Sequence, residues 1–154
     1  MGKVSILGAV YPAVWGLAQL FTGALSDRIG RRPMIVGGML LQGFAILSIP
    51  FTGTFTHWIS AAIALGLGTA LVYPTLLAAI SDVAHPDWRS SAIGVYRLWR
   101  DGGYVCGALL AGFMADALSI RWALAAVGIL TLCSGSLAGV TLAETLPPRS
   151  KAGR

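Results

Sequence analysis

Three long stretches of the chain hold almost no charge. Val4–Ser26 has no Asp, Glu, Lys, Arg or His, Pro33–Ser81 has only His57, and Trp122–Ala143 has none. About 20 consecutive apolar residues cross the hydrocarbon core of a bilayer as a helix. The second stretch is too long for one crossing. Residues 33 to 81 are 49 in all, and a helix of that length would extend roughly 70 Å against a core of about 30 Å. It turns back at Pro50–Trp58, where PFTGTFTHW supplies proline, glycine and interfacial aromatics. The pattern predicts five spans, at 4–25, 34–51, 58–81, 91–116 and 121–143, followed by a basic tail at 144–154. All five are expected to be helical, because lipid offers no partner to backbone N–H and C=O groups and a helix satisfies its own. The fold class is an all-α membrane protein.

Composition agrees with the pattern. The 154 residues are 56% hydrophobic and 11% charged, against about 25% charged in soluble domains. That excludes a disordered chain and argues against an ordinary soluble enzyme. The net charge of +5 comes from short basic runs between apolar stretches. This is a topology pattern and gives no nucleic-acid surface. The first stretch exceeds the roughly 7–15 residues of a signal-peptide core and is read as a span. Arg28, Arg31, Arg32, Arg89, Arg149, Lys151 and Arg154 fall on one side, with only Lys3 and Arg121 opposite. The positive-inside rule makes the richer side cytoplasmic, with the C-terminus inside and the N-terminus outside; the expected location is a bacterial-type inner membrane. An odd number of spans starting outside suggests that something belongs before residue 1. Cys106 and Cys133 fall inside spans and read as small packing residues. His57 and His85 fall at opposite faces, so no metal site is expected.

The connection between the first two spans carries the most information. It reads Gly23-Ala24-Leu25-Ser26-Asp27-Arg28-Ile29-Gly30-Arg31-Arg32-Pro33, a tight hairpin turning on Gly30. Gly23 would let neighbouring helices approach closely. Asp27 would meet the positive N-terminal end of another helix. The arginines would pair with an acid at the foot of a neighbouring span, and Asp82 is the best placed. The charges also fit plain positive-inside topology, so two readings stand.

This run, G-x-L-S-D-R-x-G-R-R, resembles the signature of the major facilitator superfamily, found there in cytoplasmic loops two–three and eight–nine. Gly23, Leu25, Asp27, Arg28, Gly30, Arg31 and Arg32 all fit. LGLGTALVYPTLLAAISD resembles helix ten of the family, and GVYRLWRDGGYVCGALLAGFMAD resembles helix eleven. The third span lacks the arginine, and the fourth the Gly-Pro pair, that the N-terminal half would show. The resemblance therefore implies helices eight to twelve, part of the C-terminal half, with helices one to seven elsewhere. It further implies a secondary transporter that moves a small solute by alternating access, coupled to an ion or proton gradient.

Polar residues inside the spans are the remaining candidates. In the fourth span Gly94, Arg97, Arg100, Asp101, Tyr104 and Ala108 share a face roughly 120° wide. Charge at membrane depth costs about 2.5–3.5 kcal/mol, so such residues face a bundle interior or a wet cavity. Arg97 and Asp101, at i,i+4, are expected to neutralise each other, which leaves Arg100 in need of a partner. The alternative is that Arg97 snorkels and Arg100 pairs with Asp101 structurally. Tyr11, Trp15, Gln19 and Thr22 form a second stripe expected to face protein. Thr69 and Tyr73, before Pro74, line the central cavity by resemblance. Gln42 reads as a packing contact. Gly103 with Gly107, Gly135 with Gly139, and Ala62 with Gly66 have the spacing of close helix packing.

There is no phosphate-binding loop, no Ser-His-Asp set and no metal-ligand spacing. No enzyme activity and no cofactor are expected. The expected partners are the lipid bilayer, a small solute and the opposite half of the transporter. The competing reading is a truncated or non-transporting membrane protein that packs against another transporter.

Overall fold

A computed structural model describes residues 2–51 and 53–146. Five α-helices account for nearly all of it: α1 (Gly2–Ile29), α2 (Arg31–Ser48), α3 (Phe55–Val83), α4 (Arg89–Ala117) and α5 (Ile120–Thr141). The five expected spans match the five helices one to one, and the helices run one to four residues beyond most expected ends, except that the last span, 121–143, ends two residues past α5. A 3-10 turn at Ile49–Phe51 leads into the α2–α3 connection, and another at Pro86–Trp88 leads into α4. Both helices with an internal proline, α1 at Pro12 and α3 at Pro74, run through it unbroken. The basic residues expected in the tail, Arg149, Lys151 and Arg154, lie outside the described residues.

Four of the helices are long and apolar enough to cross a membrane. The exception is α4, which has the length but carries Arg97, Arg100 and Asp101 in its interior. The exposed side chains are largely apolar, among them Leu17, Leu20, Phe21, Leu109, Phe113, Leu137 and Val140. Lipid is the solvent such a surface suits.

The bundle is centred on α2 and α3, with α5 packed on α2, α1 packed on α3, and α4 leaning on α5 and the edge of α3. Glycine makes the central crossing possible. A Cβ on Gly38 would sit 2.8 Å from the Gly68 carbonyl oxygen, and one on Gly68 would sit 2.8 Å from that of Gly38. The two backbones therefore touch, which gains dispersion energy where no hydrophobic force drives helices together. Gly43 and Gly128 make the α2–α5 contact against Leu132 and Leu47, and Gly135 meets Met39. Gly66 receives α1 at Tyr11 and Val14.

The small-residue spacings divide accordingly. Gly66, Gly135 and Gly139 pack against neighbours. Gly103 and Gly107, and also Gly23, have nothing within 4 Å of an added Cβ. Close packing was expected of all of them, but the spacing only permits an approach and needs a facing helix. Cys106 and Cys133 are likewise exposed and not packed.

Candidate functional site

Two polar clusters emerge, one at an end of the bundle and one at mid-depth. The first is built on the hairpin between α1 and α2. Gly30 takes φ 113°, which favours glycine, and the chain reverses there. The reversal brings Arg31 into the bundle beside the end of α3. Its Nε donates to Asp82 Oδ2 at 3.0 Å, and its Nη1 lies 2.7 Å from Asp27 Oδ1 and also donates to the Ser26 hydroxyl. The Arg31 side chain is only 8% exposed, with Asp82 at 21% and Asp27 at 60%. One guanidinium fork thus ties α1, α2 and α3 together.

Asp27 does not meet the N-terminus of another helix, contrary to expectation, because Arg31 holds it one turn away. Glu144 takes that position. Its two carboxylate oxygens accept the Arg31 and Arg32 backbone N–H groups at 2.8 and 3.2 Å, capping α2. A Cβ on Gly30 would sit 2.5 Å from Glu144 Oε2, so a side chain there would push the Glu144 carboxylate aside in addition to meeting the unfavourable φ. Desolvation pushes the Glu144 pKa up, but N–H donors from Leu146, Arg31, Arg32 and Thr145 outweigh it and hold it below the usual carboxylate value. Thr145 also donates to Asp82 at 3.3 Å. Arg32 Nη2 donates to the Gly139 carbonyl. Arg28 is exposed and joins no ion pair among the described residues. Sequence reasoning missed Glu144, which follows a span on the side where only basic residues were looked for.

The second cluster surrounds a cavity of about 540 Å³ lined by Trp15, Gln42, Thr69, Tyr73, Tyr96, Arg100 and Tyr104, with Val72 and Leu76. That volume suits a small organic molecule. Counted along the helices from the Arg31 end at about 1.5 Å per residue, Tyr73, Gln42, Arg100 and Thr69 lie about 14–20 Å deep. This is near the middle of a core about 30 Å thick.

The lining is ordered by ring contacts and by Arg100. Tyr11 stacks on Trp15 with centroids 6.2 Å apart, and Trp15 meets Tyr73 edge-on at 6.3 Å. The Tyr11 hydroxyl lies 3.3 Å from the Thr69 hydroxyl, which donates to the Leu65 carbonyl and sits 3.4 Å from the Gln42 amide oxygen. Arg100 donates through Nε to Asp101 Oδ1 at 2.8 Å, with Nη2 2.7 Å from the same oxygen. Its Nη1 donates to the Tyr73 hydroxyl at 2.5 Å, and its Cζ stands 5.0 Å over the Tyr73 ring.

The structure rearranges several expected pairings. Asp101 pairs with its neighbour Arg100, not with Arg97, which is exposed and has no ion pair among the described residues. The length of the Arg100 side chain allows it: Nη1 reaches Tyr73 while Nε and Nη2 lie against the adjacent Asp101 carboxylate. Gln19 is exposed and outside the cavity, so it does not face protein here, whereas Thr22 is buried as expected, its hydroxyl donating to the Gln19 carbonyl. Gln42, expected only to pack, lines the cavity, and so does Tyr96. Tyr96 lies one turn before Arg100, a signal the charged residues masked. Among the described residues no group of acids, histidines and cysteines could hold a metal.

Comparison with known proteins places these clusters in a family context. The model of a family described as the Major Facilitator Superfamily matches residues 2–154. The inner membrane transport protein YnfM of Escherichia coli K12 is 32% identical over 142 residues, covering 92% of this chain and 34% of that protein. The multidrug resistance protein MdtH of Aeromonas salmonicida is 34% identical over 94 residues, covering 61% of this chain and 24% of that protein. The methyl viologen resistance protein SmvA of Salmonella typhimurium is 32% identical over 108 residues, 70% of this chain and 22% of that protein. The chain thus spans about a third or less of the length of these relatives.

Proposed function

The chain belongs to the major facilitator superfamily, and from that membership we propose that it forms part of a secondary active transporter for a small organic solute in the bacterial inner membrane. The observation that carries this reading is the mid-depth cavity. A half-open, largely apolar and aromatic-lined space of about 540 Å³ that also carries Arg100, Gln42 and Thr69, at mid-depth among apolar helices, is what a solute pathway requires. The names of the relatives, a transport protein and two resistance proteins, support a small organic cargo.

In this scheme the five helices correspond to helices eight to twelve of the family, and the Arg31 end faces the cytoplasm. Movement is by alternating access and is driven by a proton or ion gradient. The cavity forms one side of the pathway. The opposite half of the transporter closes it over Tyr104 and the open face of α4. Residues Thr69, Tyr73, Trp15, Tyr11 and Tyr104 contact or frame the solute, and Arg97 faces the opposite half. The Asp27–Arg31–Asp82 cluster holds the cytoplasmic ends of α1, α2 and α3 in one conformational state.

The test is efflux from bacteria deprived of their own drug exporters. They would express the chain together with the coding sequence that flanks it, and be loaded with a panel of fluorescent organic solutes. Energised cells should export at least one solute, and a protonophore should stop it. Tyr73→Ala and Asp27→Asn should each slow export at least fivefold at equal membrane levels. Undiminished export by Tyr73→Ala would remove the cavity from the pathway.

A further inference from the structure

The geometry points to an organic anion with a flat apolar body, such as an aromatic carboxylate, as the ligand class that this side of the cavity selects. The inference rests on the cavity being the solute site and adds the sign of the solute's charge. The donor inventory carries it. An arginine has five N–H donors. Two of those on Arg100 go to Asp101 and one to Tyr73, which leaves two on a side chain that lines the cavity. The indole Nε1 of Trp15, also in the lining, is buried and has no acceptor. Two N–H groups of Arg100 are thus without a protein partner on a side chain of the cavity lining, at a depth where water is scarce and an unmet donor is costly, while the Trp15 donor is buried behind the lining. A carboxylate, with two oxygens and a negative charge, satisfies the arginine pair and is the natural complement of a fork.

The lining contains no acid. Asp101 is the mid-span carboxylate of this chain, and it is 61% exposed with one oxygen already taken by Arg100. Arg97 and Arg100 against Asp101 leave this part of α4 with one net positive charge. Aromatic rings by themselves would also suit a cation. Here the face of Tyr73 is occupied by the guanidinium of Arg100 at 5.0 Å. The aromatic box therefore already holds its own cation, and a second one would meet repulsion at low dielectric. Tyr96, Tyr104, Val72 and Leu76 remain as walls for a flat body.

Three probes with one ring system separate the possibilities: 2-naphthoate, neutral 2-naphthamide and 2-naphthyltrimethylammonium. Their binding to the chain in lipid nanodiscs would be measured by equilibrium dialysis, with empty nanodiscs as the blank. Naphthoate should bind at least tenfold tighter than the ammonium probe. Arg100→Gln should cut naphthoate affinity about tenfold and change naphthamide less than twofold, and Arg100→Lys should recover part of the loss. Tyr96→Ala, which removes a wall without touching charge, should weaken all three. If the probes respond to Tyr96→Ala but the ammonium form binds as tightly as naphthoate, or Arg100→Gln leaves naphthoate unmoved, the anion assignment is wrong and the cavity reading stands. If no probe binds, or Tyr96→Ala alters none of them, both fall together.

Discussion

Arg31 and Arg100 are each held by an aspartate beneath an apolar surface, yet their surroundings differ in kind. Arg31 is 8% exposed and reaches acids on two other helices, while the backbone at its own position is capped by Glu144 from beyond α5. Arg100 is 25% exposed, and its acid is the next residue in sequence. Its single bond to another helix is the one to Tyr73. Each fork has three of its five N–H groups engaged, but those of Arg31 meet partners on other helices at the packed end of the bundle and serve the fold. A pair within one helix ties little together, and the free donors of Arg100 are on a side chain that lines the cavity. The helices repeat the contrast. The core-facing glycines of α2, α3 and α5 touch other helices, whereas every glycine of α4 faces open space and α4 buries no residue.

The strongest way to break this comparison is to remove each arginine and measure unfolding in detergent. Arg31→Ala strands Asp82 and Asp27 without their cation. Breaking a buried pair costs about 3–5 kcal/mol, and the exposure of Asp27 puts the expected loss near the lower end, about 3 kcal/mol. Arg100→Ala should leave the unfolding midpoint nearly unchanged while probe binding collapses. Equal losses of stability for the two variants would erase the distinction. The smallest effect comes from Glu144. Its folded pKa lies below the ordinary one, so its stabilising contribution is present at neutral pH and fades as pH falls through the usual Glu range, about 4, and below. The midpoint of the native chain should drop over that window by more than that of Glu144→Gln, which has no carboxylate to titrate. Parallel pH profiles would show that the cap on α2 contributes nothing.

Much of the bundle was legible because membrane helices must be long and apolar, and Val4–Ser26, Pro33–Ser81 and Trp122–Ala143 satisfy that without ambiguity. The hairpin at Gly30 and the partnership of an elbow arginine with Asp82 were legible for a related reason. Charges are few, and helix ends on one side of a membrane must meet. The sequence was a poor guide wherever a side chain had to choose among neighbours. It could not tell that Asp101 turns to Arg100 rather than Arg97, since both spacings allow a pair. It could not tell that Gly135 meets Met39 while Gly103 meets nothing, since a period of four describes a helix face and not what lies opposite. Glu144 escaped because the search on that side was for positive charge. As the single Glu of the chain, just past the last span, it was nonetheless visible.

The cap on α2 has a bearing on how the molecule is made. Ribosomal synthesis delivers the elbow at Gly30–Arg32 long before Asp82, and Asp82 long before Glu144. Until each acid emerges, the guanidinium has only Asp27 and Ser26 of α1 as protein partners, and the amides at the start of α2 have only water and headgroups. The α1–α2 hairpin is therefore held at first only by the contacts of Arg31 with Asp27 and Ser26, fastened sideways when α3 arrives, and sealed at its tip only after α5 has threaded.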